Sequence, residues 1–258
     1  MNLSDNTILV TGGTSGFGFE FAARLIALGN TVIVTGRNAQ KLQETQQKLP
    51  AVHTIQSDVS KPADIRHLYA QVVERFPDLN ILINNAGEMR KISLHEPHDL
   101  QDLTREIGTN LMGPIQMVQQ FLPHLKTRKT AAILNVTSGI ALMTFPVSPI
   151  YSASKSGLRA YTQALRVQLR HTAVKVFELV APGAATPLND AFRDTEGFAP
   201  DALMAPEKII DQAIKGLQQD RYDIYPGLAG VLRILSRLAP GFLLSVASRT
   251  GADFMSGK

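Results

Sequence analysis

The sequence predicts an α/β fold, on three observations. Short β-branched runs alternate along the chain with stretches whose apolar residues recur at helical spacing. The turn between the first run and the first helix, Gly12-Gly13-Thr14-Ser15-Gly16-Phe17-Gly18, is rich in glycine. The length, 258 residues, suits one large α/β domain or two small ones and is ample for a buried core.

Composition narrows the function classes. The 26 basic and 22 acidic residues leave a net charge of +4, with the basic residues scattered. That makes no case for nucleic acid, but tolerates an anionic cofactor or lipid headgroup. There is no cysteine, so disulfides, thiolate catalysis and cysteine-based metal sites are excluded. The N-terminal residues lack the pattern of a secretory signal, and no run of about 18 apolar residues occurs. A cytoplasmic location is the expectation.

The first strand is predicted at Thr7–Thr11, and a helix runs from the glycine turn to about Leu28. Strand, glycine turn and helix N-terminus make a phosphate cradle. Glycine permits tight turning and close backbone approach, and the free helix N–H groups face the anion. Gly12, Thr14, Ser15, Gly16, Phe17 and Gly18 are therefore candidate cofactor contacts, an ordinary turn being the plain alternative. The second strand, Thr31–Thr35, ends in Gly36-Arg37-Asn38. In a dinucleotide fold an acid there binds the 2′-hydroxyl of NAD, whereas an arginine accommodates the 2′-phosphate of NADP. Gly36 sits at the usual acidic place and Arg37 follows, so NADP(H) is predicted over NAD(H), unless Arg37 merely caps a loop.

A helix at 39–49, a strand at 52–56 and a helix at 63–76 follow. Asp58, with Val59 beside it, lies at a strand's carboxyl end. It either accepts from an adenine amino group or caps the helix beginning near Pro62. The strand at 80–83 ends in Asn84-Asn85-Ala86-Gly87, where small residues and side-chain amides suit a backbone wall against a cofactor. The loop at 88–99 holds His95 and His98, but nothing completes a ligand set and no metal is expected. Residues 100–125 read as one long helical stretch, adjusted at Gly113-Pro114. Asn110 within it needs a hydrogen-bond partner if buried.

The strand at 131–136 closes with Thr137-Ser138-Gly139, placing Ser138 on the same rim as the glycine turn. Ser148 then suits an N-cap and Pro149 the first position of a helix running to Arg170. Tyr151 and Lys155, four apart, share a face of that helix with Cβ atoms roughly 5–6 Å apart. A free phenol, with a pKa of about 10, is a poor acid or base at neutral pH. A nearby cation and a helix N-terminus favour the phenolate, so the pair predicts a Tyr151 moved down toward working pH. A half-buried aromatic beside a solvated lysine is the plain alternative.

The strand at 174–180 ends in Ala181-Pro182-Gly183. Residues 184–205 read as a mobile lid or substrate loop, with Phe192, Phe198, Leu203 and Met204 as an apolar wall. A helix at 206–219 and a short strand at 222–225 complete a domain spanning 1–226. In the amphipathic extension at 227–258, Leu228, Val231, Leu232, Leu235 and Leu238 fall on one helical face and Arg233 and Arg237 on another. It packs on the domain or a sister subunit, or lies in a membrane interface; packing is favoured.

With these residues in view, the chain resembles a classical short-chain dehydrogenase/reductase. The resemblance covers Thr7 to about Tyr225. It rests on Thr11-Gly12-x-x-x-Gly16-x-Gly18, Asp58, Asn84-Asn85-Ala86-Gly87, Asn110, Ser138, Tyr151-x-x-x-Lys155 and Pro182-Gly183, in the family's order and spacing. Thr35-Gly36-Arg37 and Leu49-Pro50-x-Val52-His53 make it most similar to the bacterial DltE-like oxidoreductases. The resemblance implies a single-domain Rossmann fold with a seven-stranded parallel sheet of order 3-2-1-4-5-6-7. It implies hydride transfer between nicotinamide and a ketone, aldehyde or secondary alcohol. Tyr151 would protonate the carbonyl oxygen, and Lys155 would depress the tyrosine pKa and hold the nicotinamide ribose. Ser138 would hydrogen-bond the substrate oxygen and Asn110 would hold a water linking Lys155 to solvent. Asn85, Ala86, Gly87, Pro182 and Gly183 would line the cofactor. Thr186 departs from the family's Pro-Gly-x-x-x-Thr by arriving one residue early, before Pro187. Homodimers or homotetramers through the helices at 100–125 and 149–170 are also implied. Two other functions compete: a non-catalytic dinucleotide-binding sensor or scaffold, and a membrane-peripheral reductase of lipid-like substrates.

Overall fold

The computed structural model describes residues 1–256. Seven strands form one parallel sheet in the order β3-β2-β1-β4-β5-β6-β7. They are β1 (Thr7–Thr11), β2 (Thr31–Gly36), β3 (His53–Gln56), β4 (Leu79–Asn84), β5 (Ala131–Ser138), β6 (Val174–Ala181) and β7 (Asp223–Ile224). Order and parallel pairing agree with the expected doubly wound sheet. The inner strands read as nearly unbroken apolar runs because both faces are covered. Along β1, Ile8 and Val10 enter one hydrophobic cluster and Leu9 the other, as the two-residue strand period requires.

The first cluster is roofed by α1 (Gly16–Ala27) and α8 (Pro206–Gln218), with Leu42 from α2 (Ala39–Lys48). The second is roofed by α3 (Pro62–Arg75), α6 (Gly113–Lys126) and α7 (Pro149–Gln168). The chain leaves β1 in one direction and returns at β4 on its other side. A crevice therefore opens at the carboxyl ends of these two strands, where a ligand fits.

The expected long helix at 100–125 is broken. Two short turns, α4 (Leu100–Leu103) and α5 (Arg105–Ile107), lead into a π-helical turn at Gly108–Met112, and only then does α6 begin. Thr104 Oγ1 donates back to the Leu100 carbonyl at 3.0 Å, a local bond that competes with helix continuation. A Cβ on Gly113 would lie 2.9 Å from the Val59 carbonyl, so the glycine lets the turn close on the segment after β3. The π turn carries Asn110.

Ser148 occupies the N-cap position of α7, but its side chain does not cap. Its hydroxyl donates to the Arg90 carbonyl at 2.7 Å, tying the segment after β4 to the start of α7. Ser138 and Ala181 lie inside their strands, because β5 and β6 pair through Ser138 and Ala181.

Residues 184–205 form a strap with two 3₁₀ turns, Pro187–Phe192 and Pro200–Ala202, closed at its base by an Ala184–Met204 bridge. Phe192 is fully buried between Phe145 and Phe198 and holds the strap from beneath. Beyond β7 come α9 (Ala229–Leu238), α10 (Pro240–Ala247) and α11 (Ala252–Ser256). The apolar face expected on α9 is split: Leu232 and Leu235 turn inward, while Leu228, Val231 and Leu238 are exposed. Residues 257–258 of the extension lie outside the described residues. Among the described residues no helix is long and apolar enough to cross a membrane.

Candidate active site

A cleft of about 900 Å³ runs along the carboxyl ends of the strands, from Arg37 and Lys41 at one end to Tyr151 and the strap at the other. Its floor is the glycine turn. Gly12 and Gly16 have φ of +67° and +51°, a region in which side-chain-bearing residues are strained. A Cβ on Gly18 would meet the Gly12 carbonyl at 2.2 Å, so only glycine lets α1 approach β1 this closely. Thr14, Ser15, Gly16 and Phe17 also line the cleft. The Ser15 side chain does not cap α1, which leaves the first helical N–H groups available to an anion.

The opposite wall is Asn85-Ala86-Gly87. The Asn85 amide is turned away from the cleft space, donating to the Thr11 and Gly12 carbonyls at 2.9 and 3.1 Å. Thr11 Oγ1 accepts from the Asn85 and Ala86 N–H groups at 3.0 and 3.1 Å. Asp58 accepts from the Ser60 N–H and hydroxyl, closing its own turn, while α3 begins after Lys61. Asp58 and Val59 both line the cleft, as do Pro182, Gly183 and Thr186. A Cβ on Gly16 would lie 3.3 Å from the Thr186 methyl, so the start of the strap rests over the glycine turn.

At the inner end, Tyr151 and Lys155 project from the first turns of α7 and are nearly fully buried, yet both line the cleft. Ser138 Oγ accepts from the Ile140 N–H at 3.2 Å and also lines the cleft, beside Tyr151. Lys155 Nζ donates to the Val136 carbonyl at 2.9 Å and lies 5.7 Å from the Tyr151 ring centroid. The expectation that Lys155 lowers the phenol pKa is not met. Burial pushes Tyr151 up to about 12; the Ser138 side chain opposes this, and the Glu106 carboxylate adds to it. Burial likewise brings Lys155 down to about 8. At neutral pH the phenol is thus a protonated donor, with a buried ammonium beside it.

Asn110 is fully buried behind the wall. Its Oδ1 accepts from the Glu88 N–H at 2.9 Å, and its Nδ2 donates to the Glu88 carbonyl at 2.8 Å and the Ser154 hydroxyl at 3.1 Å. Gly87 sits close against the Asn110 and Lys155 side chains. A Cβ would stand 3.2 Å from Asn110 Oδ1 and 3.6 Å from Lys155 Nζ.

Several residues were missed in the sequence. Lys41 joins Arg37 at the outer end of the cleft, and Glu88 lies 3.8 Å from the Arg37 guanidinium. Thr35 and Ser57 line the cleft with buried hydroxyls that have no hydrogen-bond partner among the described residues. No sequence pattern assigns these four to the cleft, because their places depend on which strand ends meet. In the strap, Phe198, Leu203 and Met204 line the cleft, whereas Phe192 does not. Among the described residues no three His, Asp or Glu side chains form a metal cluster; His98 bonds the Ser93 carbonyl at 2.7 Å.

A parallel sheet with a glycine-floored crevice and a buried Tyr-Lys pair at its inner end defines a class of nucleotide-dependent oxidoreductases. The family model described as "short chain dehydrogenase" matches residues 6–197, and the chain belongs to the short-chain dehydrogenase/reductase family. It is 37% identical over 225 residues to the uncharacterized oxidoreductase DltE of Bacillus subtilis, covering 87% of this chain and 89% of that one. It is 33% identical over 177 residues to the NADP-dependent 3-hydroxy acid dehydrogenase YdfG of Salmonella typhi, covering 68% and 71%. The fold is shared with a Burkholderia phymatum short-chain dehydrogenase/reductase in complex with NAD, at a TM-score of 0.82 and 23% identity over 92% of this chain and 95% of that one.

Proposed function

We propose that the protein is an NADP(H)-dependent reductase of a ketone or aldehyde, or in reverse a dehydrogenase of a secondary alcohol. The observation that carries this reading is the buried, protonated Tyr151, with Ser138 and Lys155 beside it, lining the same cleft as the glycine turn. The cleft residues fit a dinucleotide. A Cβ on Gly12, Gly13 or Gly18 would lie under 3.0 Å from a protein atom, so glycine lets the turn close tightly beneath the cleft, and the Thr35 and Ser57 hydroxyls beside it have no partner among the described residues. The glycine turn and the α1 N-terminus would hold the pyrophosphate, Asn85-Ala86-Gly87, Asp58 and Val59 the adenosine side, and Pro182-Gly183 the nicotinamide side. Arg37 and Lys41 favour the 2′-phosphate, supported by the NADP dependence of the Salmonella relative. When bound, the cofactor supplies the hydride.

The chain's own residues supply the rest. Tyr151 donates its proton to the carbonyl oxygen as charge develops there, and Ser138 hydrogen-bonds the same oxygen. Lys155 is near enough to offset the phenolate that forms. Asn110 acts as a positioning residue, fixing the two peptides that flank Glu88, against which the site is built. The strap's Phe198, Leu203 and Met204 exclude water from the reacting end. Assembly as a homodimer or homotetramer is part of the same reading.

A panel of aldehydes and ketones, followed by the absorbance of NADPH, tests this. Tyr151→Phe should keep NADPH affinity and lower turnover by roughly 10²–10⁴-fold. A chain that oxidises NADPH with no carbonyl in the panel, or a Phe variant with full turnover, points instead to a binding module.

A further inference from the structure

The extension after β7 leaves an apolar surface uncovered. Val231, Ile234 and Leu238 on α9 are 51, 59 and 77% exposed, and Phe242 on α10 is 61% exposed. Isolated exposed apolar residues are ordinary, but a run along two consecutive helices marks a contact surface.

Two features of this surface identify its occupant. The first is charge. Between Asp223 and Asp253 the chain carries Arg233, Arg237 and Arg249 and no carboxylate. Two copies of this surface brought face to face would oppose arginines with no acid from the same segment to pair them. An anionic lipid surface supplies the missing charge, and arginine stems lie along apolar material with their heads at the phosphates. The second is continuity with the cleft. Leu228, 64% exposed, and Leu232 both line the cleft. A Cβ on Gly139, next to Ser138, would lie 3.1 Å from the Leu232 side chain. A smaller apolar niche between Met143 and Leu244 joins the cleft wall to exposed α10.

We infer that α9 and α10 form a docking surface for an anionic lipid bilayer, with the cleft mouth opening beside it. The helices lie in the interface without spanning it, Ile234, Leu238 and Phe242 among the acyl chains and Arg237 at the headgroups, while the Arg233 guanidinium lies over the Tyr225 ring, 4.9 Å from its centroid. The inference does not depend on the identity of the cofactor or the substrate.

Co-sedimentation of the full chain with phosphatidylcholine vesicles, with and without phosphatidylglycerol, tests it. The chain should partition to the phosphatidylglycerol vesicles and be released by added salt. Ile234→Asp with Leu238→Asp should weaken partition by roughly tenfold or more. Arg237→Gln, on the other face, should weaken it less and reduce the salt dependence. Both positions of the first variant are exposed, so an unchanged thermal midpoint certifies its fold. Failure of the chain to sediment with any vesicle overturns the inference. So does a dimer that the Asp variant converts to monomer while vesicle partition is unaltered, because a second copy is then the occupant. Carbonyl reduction by detergent-free, lipid-free protein tests the proposed activity separately.

Discussion

Asn110 bonds both polar groups of the Glu88 residue, accepting from its N–H at 2.9 Å and donating to its carbonyl at 2.8 Å. One side chain from a π turn thus satisfies the backbone that leaves β4 and fixes the height of the cleft wall above Lys155. Asn110→Leu has similar size but leaves two backbone groups without partners. It should cost about 2–5 kcal/mol of stability, read from urea unfolding. It should also lower kcat, because Gly87 sits against Lys155. Unchanged stability with normal turnover would show that the wall does not need this clamp.

The pH profile separates the two titrating groups. In the free enzyme Lys155 is charged below about 8 and Tyr151 stays protonated to about 12. For carbonyl reduction, kcat/KM for NADPH should be level near neutrality and fall as pH rises through about 8. The falling limb belongs to the lysine, since the phenol loses its proton only much later. Lys155 also makes stability pH-dependent. Its folded pKa lies below that of the unfolded chain, so between pH 8 and 10.5 the unfolded chain binds more protons and this group's contribution rises with pH. In Lys155→Met that rise should disappear from a plot of unfolding free energy against pH.

At the outer end of the cleft, Arg37 faces the carboxylate of Glu88 at 3.8 Å. Arg37→Ala should weaken NADPH binding about tenfold and leave NADH nearly unchanged, a modest effect because the guanidinium is more than half exposed. Glu88→Gln should act oppositely, removing both a competitor for Arg37 and a negative charge near the incoming phosphate. Fluorescence titration with both nucleotides reads each ratio, and equal losses for NADH and NADPH would remove Arg37 as the discriminator.

Glu178 is fully buried in β6, accepting from the Thr137 hydroxyl at 2.6 Å and from Arg159 at 2.7 Å. Arg159 also donates to the Tyr225 hydroxyl at 3.1 Å, linking α7 to the chain just after β7. Arg159→Met would leave a buried carboxylate unpaired and should lower stability by about 3–5 kcal/mol. Replacing both, Arg159→Met with Glu178→Leu, should recover much of that loss. Thermal and urea denaturation of the four variants in the cycle measure the coupling.

What the sequence determined by itself is what short-range pattern encodes. Strand β1, the glycine turn and α1 were legible because strand periodicity, glycine and helix spacing are local properties. The pairing of Tyr151 with Lys155 was legible because one helical turn fixes it. Asn110 and Ser138 were found through family resemblance, since nothing local distinguishes them from a helix breaker and a turn residue. Only the tertiary structure decided the quantities that depend on distant neighbours. It broke the helix at 100–125 into a π turn that aims Asn110 at Glu88, and it directed the Ser148 hydroxyl to Arg90 instead of the α7 N-terminus. It moved the Tyr151 pKa up instead of down, because loss of solvent on burial outweighs the lowering by Ser138. Burial is a sum over segments far apart in the chain, and no local pattern of residues carries that sum.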